Sequence, residues 1–506
     1  MQHRLWGGRL AAGAGALALA LPSAAAAEWR RGETAHFVVY SNGSERNLRD
    51  YAARLERFHA LLRTVTRAAQ DDEDLRKLPV YLVDNARELR IVQPGLPEGV
   101  DGYYSAGHQD IRAALIRGRD DDLLLHEYTH HFMSHYSPGS YPAWFREGFA
   151  EYFATATVDS RGRSTFGYPG LGRLQTLHQQ RWMPLEQLLT ASPMELERQG
   201  QRWAYYAQSW LLTHYFLSDA GRQRQLDAYL RALRAGADPL DAFFGNVGTT
   251  PEGLTRTLRS YYQRGMRYSE LTLPPLAPEI TVTRMPESAD DVLLIGVDMR
   301  DGADEDRGPE LLAASRAAAA RHPGDALALT VLARAEIAWG DAAAGDAALR
   351  QVLEIEPDNV EALLMAAERR IEAAHEEVEQ DALLAGYREA QSLLGRAYQA
   401  DPTDYRVLAE LAMLRQSAPD YPTENDLQTW RLAVRHAPQV LGLRAQAATA
   451  LLRAGLTDEA ALHLTPLADD PHGGEFAERA RAQIERIRER PAASGAEAEV
   501  SGQPVD

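Results

Sequence analysis

The sequence predicts an α+β domain followed by an all-α repeat domain, and three observations carry that reading. Residues 28–268 are aromatic-rich and mix β-branched runs with helical periodicity. A stretch holding Leu273-Pro274-Pro275-Leu276-Ala277-Pro278 and Pro286 then reads as a linker, placed at 269–307. Residues 308–490 are rich in Ala, Leu and Arg and carry a recurring proline. At 506 residues, 45% hydrophobic and 25% charged, the chain is long enough for several domains and apolar enough to bury real cores.

The N-terminus reads as a secretory signal peptide over 1–27. His3, Arg4 and Arg9 give a basic start, Leu10 to Leu21 a short apolar run, and Ala25 and Ala27 a small-residue cleavage site before Glu28. An exported bacterial protein, periplasmic or secreted, is expected. Losing Arg4 and Arg9 takes the formal charge from -18 to -20. A chain this acidic is a poor ligand for nucleic-acid phosphates. No later segment resembles a membrane span. There is no cysteine, so the domains stand on packing alone, and any metal site must use His and carboxylate ligands.

Element by element, His36 to Ser41 is a strand by its β-branched and aromatic content, closed by the Asn42-Gly43 turn. Leu48 to Ala69 is helical, with Leu48, Tyr51, Leu55, Phe58, Leu62 and Val65 at three- and four-residue steps. Val80–Val83, Gly102–Ser105 and Ile111–Arg117 are further strands. Helices follow at about 121–136, 142–157, 203–218 and 222–234, so a small sheet precedes a helical half. The tail, 491–506, is small, polar and reads as disordered.

In the second region Pro323, Pro357, Pro402, Pro438 and Pro471 lie 34, 45, 36 and 33 residues apart, each after a helical run such as LRQVLEIEPDN. Gly340-Asp341 and Gly455 fall at turns between helices. A period near 34 with a helix-ending proline resembles tetratricopeptide repeats. The match is loose: Gly345 stands where Ala is usual, and an insertion follows Ala374. About four repeats stacked as a solenoid are expected, a surface for a protein partner.

The chemistry sits in LLLHEYTHHFMSHY, Leu123 to Tyr136. His126 and His130 are four residues apart on a helix, so both imidazoles project from one face and can share a cation. Glu127, one step on, leans over the same edge, where it can take a proton from an attacking water. His131 points elsewhere and His135 lies too far along to join the pair. Sixteen residues separate His130 from Glu147, in Trp144-Phe145-Arg146-Glu147-Gly148-Phe149-Ala150-Glu151-Tyr152. Ser137-Pro138-Gly139-Ser140 supplies a turn and Pro142 a helix start, so the second helix returns with Glu147 as third ligand. Two His and one carboxylate leave a fourth position open, as in catalytic zinc sites. Glu151, one turn on, is placed to accept from the outer nitrogen of a ligating histidine. His108, His178 and His214 are set aside as packing or surface histidines.

HEYTH followed by PAWFREGFAEYF resembles the gluzincin metallopeptidases, particularly the bacterial peptidase MA-like domains, over about His36 to Gly265. Trp203-Ala204-Tyr205-Tyr206-Ala207-Gln208-Ser209-Trp210 is similar to a YAQSW segment of those domains. The resemblance implies a zincin-like catalytic domain ahead of a tetratricopeptide-like solenoid. It also implies Zn²⁺ as cofactor, and an edge strand, Ile111 to Arg117, that pairs with an extended peptide or protein substrate. No GxMEN-type motif is present, so aminopeptidase activity is not implied. The expected activity is zinc-dependent peptide hydrolysis with Glu127 as base. A phenol on the later helix, Tyr206 or its neighbour Tyr205, would serve as oxyanion donor. The rival expectation is a repeat-based interaction scaffold whose protease-like domain is inactive or secondary.

Overall fold

The computed structural model describes residues 28–489 apart from 69–74, 119–120, 137–140, 192–195, 197, 301, 303–304 and 471–473. The expected signal peptide, the Ser137–Ser140 turn, Pro471 and the tail lie outside the described residues.

A mixed sheet of six strands forms the N-terminal half. Its strands are β1 (Arg30–Glu33), β2 (Phe37–Ser41), β3 (Leu78–Val83), β4 (Gly102–Ala106), β5 (Ile111–Ile116) and a late strand, Thr281–Arg284. In space the order is β4-β5-β3-β2-β1 and then the late strand. Side chains alternate across it as the strand period requires. Phe37, Val39, Leu78, Val80, Ile111 and Ala113 join the main core beneath helices Glu45–Thr66 and Asp122–Tyr136. Tyr81, Val83, Ala114 and Ile116 face the opposite side.

The structure departs from two sequence expectations. Ile111–Ile116 is not the edge strand: it lies between β3, its parallel partner, and β4, which pairs with it antiparallel and ends the sheet. The four residues between β4 and β5 close a hairpin that lays Gly102–Ala106 over the outer side of Ile111–Ile116. Nor is 269–307 a free linker. Ser269–Thr272 pairs with Arg163–Phe166 in a second, three-stranded sheet, and Thr281–Arg284 completes the first sheet beside β1. Pro274, Pro275 and Pro278 fall between these strands and Pro286 follows the second, where no ladder donor is needed, while Thr281-Val282-Thr283 supplies β-branched residues. Helix Ala289–Arg300 then seats Ala289, Leu293 and Val297 on the far face of the sheet.

The rest of the chain is a long all-helical repeat region. Helices Ala326–Trp339, Val360–His375, Tyr405–Leu414 and Leu441–Arg453 each begin three residues after one of the recurring prolines. Each is followed by an antiparallel mate: Ala342–Ile355, Gln380–Ala400, Glu424–His436 and Thr457–Ala468. Asp325, Asn359 and Asp404 cap the first three through side-chain oxygens, satisfying donors a helix start leaves open. Val440 gives the fourth no such cap. The insertion after Ala374 lengthens the second mate to 21 residues. Gly345 has a packing reason: a Cβ there would lie 2.7 Å from Ile337.

The repeats fold back onto the first half rather than hanging from it. Tyr405 donates to the Gly107 carbonyl at 3.0 Å. A buried charge network also crosses the junction. Asp110 meets Arg300 at 3.3 Å, Arg406 bridges Glu361 and Asp404 at 2.9 and 2.7 Å, and Arg76 reaches Asp404 at 3.3 Å. Buried ions persist only when paired in this way.

Candidate metal centre

Helix Asp122–Tyr136 buries Leu124, Leu125, Tyr128, Thr129, Phe132 and Met133, which leaves His126, Glu127 and His130 on the face turned to a cavity. Helix Ala143–Ala154 is buried almost all round and lies between it and helix Arg202–Leu217. It carries Glu147, 3% exposed. A carboxylate that deep needs a partner, and Glu147 Oε2 sits 3.4 Å from His126 Nε2 and 3.5 Å from His130 Nε2. The two Nε2 atoms are 3.2 Å apart. Ligand atoms on a tetrahedral zinc, at about 2.0–2.2 Å from the ion, lie about 3.3–3.5 Å from one another. The donor triangle fits that ion in size and chemistry. Among the described residues His126, His130 and Glu147 form the group of His and carboxylate ligands able to hold a metal.

The electrostatics favour positive charge at this point. Burial alone would lower His126, but Glu147, Glu151 and Glu127 outweigh it and lift it to about 9. Burial would raise Glu147, but His130 and His126 hold it well below the usual carboxylate range. A proton on this cluster occupies the electrostatic place a cation would take.

Glu151 stands where the sequence placed it, its Oε1 3.4 Å from His126 Nδ1. It is itself gripped by Arg173, whose Nε donates to Oε2 at 2.8 Å and whose second nitrogen donates to Oε1. Sequence carries no signal for Arg173, because only the fold brings the first turn of helix Leu171–Gln179 under this carboxylate. His130 Nδ1 has no equivalent: it is buried without a hydrogen-bond partner among the described residues.

The two tyrosine candidates separate. Tyr206 lines the cavity, its ring 6.3 Å from that of His126. Burial, then the charge of Glu147, raises its phenol well above the ordinary value, so it stays a neutral donor. Tyr205 is fully buried in the core beside it. His131 is a packing residue bonded to Tyr104 at 3.0 Å, His214 is bonded to Tyr261 at 2.8 Å, and His178 is exposed.

The cavity has a wall that sequence reading did not foresee. Pro438, Gln439, Leu441 and Arg444, with Pro466, Asp469 and Asp470, line it from the repeat region. Tyr104 and Ala106 line it from the sheet's terminal strand. No helix of the described residues is long and apolar enough to cross a membrane.

No family model matches the chain, and no curated protein matches it. Among solved structures, a thermophilic TPR protein from Thermus thermophilus is 16% identical, covering 39% of this chain and 99% of its own, with a TM-score of 0.33. MamA from Desulfovibrio magneticus is 16% identical, covering 40% of this chain and 99% of its own, with a TM-score of 0.27. Likeness at this distance carries neither activity nor partner across.

Proposed function

We propose that the chain is an exported zinc-dependent peptidase with a zincin-like N-terminal domain, its zinc held by His126, His130 and Glu147. The observation that carries this is the donor triangle with Glu127 one step along the same helix, all four residues lining one cavity. When bound, zinc would polarise the scissile carbonyl and make its water more acidic. Glu127 then takes the proton of the attacking water and returns it to the leaving amine. Tyr206 donates its hydroxyl hydrogen to the developing oxyanion. Glu151, anchored by Arg173, orients the His126 ring through Nδ1. Tyr104 and Ala106 belong to the sheet's terminal strand, whose outer side is the place for an extended substrate backbone.

The test is Glu127→Gln, assayed on a quenched-fluorescence peptide library with zinc measured in parallel. Hydrolysis is expected to vanish while zinc and fold remain. Cleavage at near the native rate would remove Glu127 from the mechanism. A second reading is a repeat-based scaffold for a protein partner, favoured by the stacked helical hairpins. It gains ground if zinc-loaded native protein cleaves nothing in that library.

A further inference from the structure

Two arginines face the candidate centre from opposite halves of the molecule. Arg146 precedes Glu147 on helix Ala143–Ala154, and Arg444 lies on helix Leu441–Arg453 of the repeat region; both line the cavity. Arg444 is 7% exposed, and its one hydrogen bond among the described residues runs from Nε to the Pro438 carbonyl at 2.6 Å. Its two outer nitrogens make no hydrogen bond among the described residues. Neither guanidinium is ion-paired with a carboxylate among the described residues. Asp469 and Asp470 line the same cavity. The two are also close enough to oppose each other, since burial and then the charge of Arg146 pull Arg444 down to about 10.

Keeping a guanidinium buried on a cavity wall without a carboxylate partner costs free energy, although Glu127, Glu147, Asp469 and Asp470 line the same cavity. An anion arriving from solution would offset it. The planar fork of a guanidinium matches a carboxylate in particular. We propose that Arg146 and Arg444 form a subsite for a carboxylate of the peptide substrate, spanning the two halves beside the candidate metal centre. This rests on the reading of the cavity as a peptide cleft and narrows it to peptides that bring a negative charge near the scissile bond. The carboxylate comes either from the chain's C-terminus or from an acidic side chain. In the first case cleavage falls close to a chain end, and in the second it falls at an internal acidic position. The repeat region thereby supplies part of the substrate specificity as well as a wall.

The experiment measures binding rather than turnover, by ligand-observed NMR on the full chain carrying Glu127→Gln, with zinc and again after chelation. The probes are N-acetyl-Ala-Ala-Ala, its C-terminal amide, and the amides of N-acetyl-Ala-Glu-Ala and N-acetyl-Ala-Gln-Ala. The first pair reports a chain end and the second a side chain. At least one acid is expected to bind about tenfold or more tighter than its neutral partner. Arg146→Gln and Arg444→Gln are each expected to bring that ratio within about twofold while leaving the neutral probe unchanged. Arg444→Lys, which keeps charge without the fork, should restore part of it. Equal binding of acid and neutral probes in both pairs, including no binding of any at millimolar concentration, overturns the proposal. So does a preference untouched by both Gln variants. Absent hydrolysis in the native protein would instead count against the peptidase reading, and the two results are read separately.

Discussion

Gly148, immediately after Glu147, is the position where a single methyl tests the geometry of the centre. A Cβ built there lies 2.2 Å from Thr213 Oγ1 and 2.3 Å from the Ser209 carbonyl oxygen. The hydroxyl could rotate away, but the backbone carbonyl of helix Arg202–Leu217 could not. Normal contact would require the two helices to part by about 1 Å. Two effects oppose each other in Gly148→Ala. Alanine in a helix interior is favoured over glycine by about 1 kcal/mol, whereas overpacking a buried contact typically costs about 1–3 kcal/mol or more. With backbone as the obstacle the second should win, giving a net loss of about 1–2 kcal/mol and a fall in Tm of a few degrees. Zinc sites tolerate about 0.2 Å in ligand distance, so if helix Ala143–Ala154 is the one that yields, zinc affinity should drop at least about tenfold. If helix Arg202–Leu217 yields instead, zinc stays and turnover falls with the displaced Tyr206. Calorimetry, zinc titration and peptide hydrolysis on one preparation separate these cases. A variant as stable as the parent, with unchanged zinc affinity and turnover, would refute the close approach itself.

Two further substitutions probe other links. Tyr206→Phe removes one hydroxyl from the cavity and should lower turnover about 100-fold at unchanged zinc content, while Tyr205→Phe, altering a core residue, should not; the reverse pattern would reassign the donor. Glu410, on helix Tyr405–Leu414, is lifted to about 7 by burial and then by Glu368. A carboxyl whose folded value is raised stabilises the fold fully below its unfolded value of about 4.3, and that contribution is lost as pH rises through 7. Denaturant unfolding should therefore show native protein losing roughly 2 kcal/mol between pH 5 and 8 that Glu410→Gln keeps. Parallel pH profiles for the two proteins would contradict this.

What the sequence disclosed and what it hid divide along local and long-range physics. His126, Glu127 and His130 were legible because helical spacing alone puts them on one face, and Glu147 because a helix turning back offers a carboxylate at that distance. The recurring prolines announced the helical hairpins, and Asp325, Asn359 and Asp404 sit beside three of them as caps. The edge strand was misplaced because period-2 patterning gives a strand's faces, not its neighbours. The linker was misread because proline-rich composition between short strands looks the same as a connector until Thr281–Arg284 finds β1. Arg173 and Arg444 escaped notice for a related reason. Each reaches the centre only through tertiary packing, and a lone arginine on a helix carries no signal of what it will face.

Whether His126, His130 and Glu147 hold one zinc is decided by elemental analysis of purified protein. Native protein dialysed against trace zinc should carry about one equivalent per chain. His130→Ala and Glu147→Ala, verified as folded by circular dichroism, should carry a small fraction of that. Equal zinc in native protein and both variants, or none in the native protein, would rule out this triad as the metal site.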